Sequence, residues 1–170
     1  MQHRLTRGEV VFGTAAVVLV ALSAVPLWAT YVGGALGVAS VERSNAFAPA
    51  LPLTAKLALL VTFLGLAIIV ARMVLRERSP VLHPAAYLVA GIVIAVLLVA
   101  GVVAGPSLGL ERGLDRLEDL GLDNPLGITA EVRRGPLLFV AWVLALPLIA
   151  GGFLHFADQT RPVKDQFPEA

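Results

Sequence analysis

The run from Pro84 to Gly105, P-A-A-Y-L-V-A-G-I-V-I-A-V-L-L-V-A-G-V-V-A-G, contains no charged residue. As a helix of about 22 residues it extends ~33 Å at 1.5 Å per residue, enough to cross a hydrocarbon core of roughly 30 Å. A helix packed inside a water-soluble domain shows a polar stripe every three or four residues, and this run has none. Lipid is the solvent such a segment asks for.

Three further runs share its character, at residues 10–28, 54–75 and 136–156. The expected fold is therefore all-α: a four-helix transmembrane bundle with up-down connections and a short amphipathic helix in the second outer loop. Residues 1–157 make the membrane domain, and 158–170 a flexible cytoplasmic tail that is polar and holds two prolines. Charged residues make up 15% of the chain and mean hydropathy is +0.85, against roughly 25% charged in soluble domains, so composition agrees.

Composition also removes whole classes of function. Without cysteine the chain can form no disulfide, thiolate metal site, iron–sulfur cluster or thiol nucleophile. A net charge of +1 leaves no extended polyanion-binding surface, so no nucleic-acid partner is expected.

In chain order, Val10 to Trp28 follows a short polar lead with Arg4 and Arg7. A cleavable signal peptide is the competing reading of this start. Its apolar region is normally 7–15 residues, and about 19 are present here, so a retained span is expected. Pro26 and Trp28 close it, with the Trp28 ring at headgroup level. Ala29 to Leu53 reads as a loop broken by Gly33, Gly34, Gly37, Pro49 and Pro52, with Glu42 to Asn45 at its tip.

Lys56 and Arg72, near the ends of the second span, are placed to snorkel their charges into the interface. Arg76 to Pro80 makes a tight basic turn. After Pro106, Leu110, Leu114 and Leu117 line one side of Ser107 to Gly121, opposite Glu111, Arg112, Asp115, Arg116, Glu118 and Asp119. That pattern predicts an amphipathic helix on the membrane surface or at the bundle end. Ile128 to Gly135 then returns the chain to the membrane.

Basic residues near the span ends set the orientation. Arg4, Arg7, Arg72, Arg76, Arg78, Arg161 and Lys164 fall on one side; Arg43, Lys56, Arg112, Arg116, Arg133 and Arg134 fall on the other. The first set lies on short segments beside the spans, and the 107–131 loop is net acidic. Both termini are therefore expected in the cytoplasm, at the plasma (cytoplasmic) membrane.

No Asp, Glu, Lys or Arg lies near the centre of any span, so the usual parts of a proton relay or an ion-coupled pathway are missing. Gly-rich phosphate loops, H-E-x-x-H and G-x-S-x-G are absent too, and neither catalysis nor a cofactor is expected. His3, His83 and His155 all fall on the inner side, where histidines bonded to water or backbone are the plain expectation.

Small residues one turn apart let helix backbones approach in lipid. Gly101 and Gly105 form a G-x-x-x-G, with the same spacing at Gly91 and Ala95 and at Ala86 and Ala90. These are candidate packing positions, within the bundle or between subunits. Gly151-Gly152 either serves the same purpose or loosens the end of the fourth span. Trp28, Asn124, Pro125 and Arg134 are the candidate loop-contact residues.

Several short motifs resemble the claudin and peripheral-myelin-protein group of four-pass proteins. Ala24-Val25-Pro26-Leu27-Trp28 is similar to the A-L-P-x-W that closes the family's first span, and Ala50-Leu51-Pro52 with Lys56 to the lead into its second. Asn124-Pro125-Leu126 resembles the N-P-L of its second loop. Arg133-Arg134-Gly135, Phe139-Val140-Ala141-Trp142 and Gly151-Gly152 resemble its fourth span. The family's G-L-W and cysteine pair are missing, the loop from Ala29 to Leu53 is short for the family's strands, and the Phe167-Pro168-Glu169-Ala170 ending is not PDZ-binding. Junction sealing and a pore-lining carboxylate are therefore not carried over. Leu5-Thr6-Arg7-Gly8-Glu9 also resembles four-pass proteins of high-GC bacteria.

The resemblance implies a non-catalytic integral membrane protein that acts through lateral helix and outer-loop contacts, with the bilayer, itself or other membrane subunits as partners. The alternatives are an accessory or structural subunit of a larger bacterial transporter or respiratory complex, and a small oligomeric channel.

Overall fold

A computed structural model describes residues 5–35, 38–75, 83–106 and 128–160. Among them are four helices, α1 (Arg7–Ser23), α2 (Leu53–Leu75), α3 (Ala86–Ala104) and α4 (Pro136–Thr160), and three strands, β1 (Ala29–Ala35), β2 (Val38–Ser44) and β3 (Thr129–Arg134). Three of the helices, α2, α3 and α4, are long and apolar enough to cross a membrane. The surface Ser107–Gly121 helix, the Arg76–Pro80 turn and the tail beyond Thr160 lie outside the described residues.

Each helix packs antiparallel against two others, α1 on α2 and α4, and α3 on α2 and α4. Phe12, Leu19, Leu59, Ile94, Leu98, Leu138 and Leu148 fill the space between them. The outward faces are apolar as well: Val17, Leu60, Leu64, Val96, Val103, Leu146 and Phe153 are all exposed.

α1 ends five residues earlier than the apolar run suggests. Pro26 has no N–H to continue the helix, and it disfavours helical backbone at Val25. Beyond it, the stretch expected to be a loop is a β-hairpin. The glycines there break a helix, but the β-branched and aromatic residues Thr30, Tyr31, Val32, Val38 and Val41 suit a pleated surface. β1 and β2 pair antiparallel from Ala29↔Ser44 to Ala35↔Val38. Ile128 to Gly135, expected to lead directly into lipid, contains β3, which pairs antiparallel with the other edge of β1 from Gly34↔Thr129 to Ala29↔Arg134. The sheet order is β2-β1-β3.

The sheet is tied to the helix ends through Trp28. Its N–H donates to Ser44 O at 3.0 Å, its carbonyl accepts from Gly135 N at 2.9 Å, and its indole N–H donates to Leu22 O at 2.7 Å. The Leu22 carbonyl, one of the last of α1, also accepts the Val25 N–H at 3.1 Å, so the indole adds a second donor at the helix end. Trp28 is fully buried, so the expectation of an interfacial loop-contact residue is corrected. Its N–H turns inward because a helix terminus lies beneath it.

A buried polar cluster as the candidate functional site

The helix ends away from the sheet converge on five polar side chains. Thr6 caps α1 by accepting the Glu9 N–H at 3.1 Å, and one Glu9 carboxylate oxygen accepts the Thr6 N–H at 2.9 Å. This reciprocal pair is a capping box, and Thr6-Arg7-Gly8-Glu9 is its T-x-x-E signature. The other Glu9 oxygen accepts from Arg72 Nη1 on α2. Glu9 is 2% exposed and the Arg72 side chain 25%, so the pair sits just inside the packed helices.

His155 on α4 joins through Nδ1, 2.9 Å from Thr6 Oγ1. The hydroxyl already accepts the Glu9 N–H, so donating its own proton to Nδ1 uses both of its hydrogen-bonding roles. Tyr87 on α3 completes the cluster, with its ring edge-on to His155 at 4.9 Å and tilted against Phe12 at 5.2 Å. Its buried hydroxyl lies beside the Arg72 guanidinium, without a hydrogen bond of good geometry. All four helices thus contribute a side chain to one place.

Three sequence expectations are corrected here. Glu9, expected in a polar lead, and Arg72, expected to snorkel, instead meet in the interior, because α1 begins at Arg7. His155, expected at a wet interface, is 1% exposed and bonded to a side chain. The T-x-x-E spacing was the available signal for Glu9. Nothing local marked His155, whose partner is 149 positions away.

Glycines bring the backbones close enough for these contacts. A Cβ on Gly151 would lie 2.6 Å from Phe12 N of α1, and one on Gly152 would lie 2.5 Å from Leu88 Cα of α3. Adjacent helical residues point about 100° apart, so this pair of glycines serves two neighbours at once. Gly8 lies against the backbone of His155 in the same way.

The remaining candidates are dispersed. Gly91 faces the α4 backbone at Ile149, Gly101 faces Ala55 of α2, and Ala95 is half-buried against the core. Gly105 lies past α3 with φ of 70°, beside the Arg134 guanidinium. Arg134 is exposed and donates to Val103 O at 3.3 Å, at the C-terminal end of α3. Asn124 and Pro125 lie outside the described residues.

Chemically, the cluster is an interhelical lock. Its one free hydroxyl lies beside a guanidinium, and its carboxylate is committed to two donors. No group of three or more His, Asp or Glu residues suited to a metal ion occurs among the described residues. No protein-family model matches the chain, and no curated protein matches it.

Proposed function

We propose that the chain is a four-pass, non-catalytic integral membrane protein of claudin-like layout, acting through contacts of its outer sheet and lateral helix faces. In this reading α1 to α4 form a four-helix transmembrane bundle, both termini are cytoplasmic and the sheet lies outside. The apolar outward faces of the helices support it, since a water-soluble monomer rarely exposes contiguous apolar patches beyond a few hundred Å².

The observation that carries the contact role is the open edge of β2. Val38 is 73% exposed and Val41 66%, beside the exposed charges of Glu42 and Arg43. Among the described residues, parts of both outer segments build this sheet and no strand flanks the outer side of β2, so that edge offers backbone groups beside apolar side chains for docking.

The test is assembly in mild detergent. The full chain is expected to associate with itself or retain a membrane partner, and Val41→Lys is expected to weaken that association. A strictly monomeric particle with no retained partner defeats the reading. An unrelated partner in fixed stoichiometry, insensitive to Val41→Lys, favours the accessory-subunit alternative.

A further inference from the structure

A groove of about 410 Å³ runs between α1 and α2 on the outside of the helices. Gly13, Thr14, Val17, Leu66, Ile69 and Met73 are among its lining residues, and Glu9 stands at its mouth. We propose that this groove holds one acyl chain of an anionic glycerophospholipid of the inner leaflet, its phosphate at the level of Arg7 and Arg72. The proposal rests on the membrane reading above.

Length favours a lipid chain over a partner helix. The α1 part of the lining runs from Glu9 to Val18, about 14 Å at 1.5 Å per residue, roughly half a hydrocarbon core of ~30 Å. A helix from a second copy would press along the full thickness. A slot that begins at a helix end and stops near the midplane matches one leaflet. Apart from Glu9 at the mouth and Thr14, whose hydroxyl donates to Val10 O, its walls are apolar, and Gly13 contributes no side chain to them.

Charge at the mouth selects the headgroup. Among the described residues, Glu9 and Arg72 neutralise each other, and the exposed Arg7, two positions before Glu9, adds a positive charge at this end of α1. His155 is turned away, onto Thr6. A basic residue at an anionic lipid surface contributes ~1 kcal/mol, about a fivefold preference.

The experiment is native mass spectrometry of the full chain with equimolar phosphatidylglycerol and phosphatidylcholine, after alkaline extraction shows whether it stays in membranes. Retained phosphatidylglycerol is expected, with about a fivefold preference that Arg7→Gln removes. Thr14→Trp fills the groove from an exposed position and should abolish retention, whereas Val96→Trp on the exposed face of α3 should not. Equal binding of the two lipids, or retention by Thr14→Trp equal to that of Val96→Trp, overturns the proposal. So does a wild-type dimer that Thr14→Trp dissolves. Release of the chain by alkali defeats the membrane reading itself.

Discussion

Glu9 and Arg72, 63 positions apart in the chain, form an ion pair that joins the first turn of α1 to the last turn of α2. The same carboxylate closes the capping box with Thr6, so one side chain both starts a helix and fastens it to its neighbour.

Removing one member of this pair leaves the other without its counter-charge. Arg72→Met is expected to cost about 3 kcal/mol, the lower end of the range for breaking a buried pair, because Arg72 keeps part of its surface. Glu9→Gln/Arg72→Met together should cost clearly less than the sum of the two single changes. Unfolding in detergent measures all three, and strict additivity would show the pair to be uncoupled.

Thr6 holds both the α1 cap and His155. Thr6→Val keeps the shape but loses the acceptor, at about 1 kcal/mol for the cap, and it leaves His155 Nδ1 unsatisfied. Thr6→Ser should retain nearly full stability. Equal losses for Val and Ser would locate the effect in packing and remove the hydroxyl from the account.

The contact between α1 and α4 depends on the missing side chain at residue 151. Gly151→Ala is expected to destabilise by about 1–3 kcal/mol through overpacking, as the two backbones are forced apart. Val103→Ala, on an exposed face, should stay within about 0.5 kcal/mol. Comparable tolerance at both positions in a thermal melt would mean that the helices do not approach as described.

Outside the helices, hydrogen bonds from Arg133 to both carboxylate oxygens of Glu131, at 2.8 and 2.9 Å, hold that carboxyl below its ordinary range. A lowered folded value means that the pair's stabilisation is present above the ordinary carboxylate pKa and is lost as pH falls through the lowered one. Both side chains are exposed, so the effect on stability is small. It is best read by NMR titration of Glu131, and Arg133→Gln should return it to the usual value. An unchanged titration in that variant would sink the assignment.

The apolar runs and helix positions were legible in the sequence because long uncharged stretches are local. Pro84 to Gly105 states its preference without reference to any other segment, and α3 occupies nearly all of it. The T-x-x-E before α1 was equally local. Tertiary structure alone decided the rest. Gly33 and Gly34 read as loop residues until β3 arrives from the far end of the chain to pair beside them, and strand pairing is by nature non-local. Likewise, Glu9, Arg72 and His155 are each ordinary for a polar flank. Only the antiparallel packing of α1 against α2 and α4 brings them together, where burial makes an unpaired charge costly.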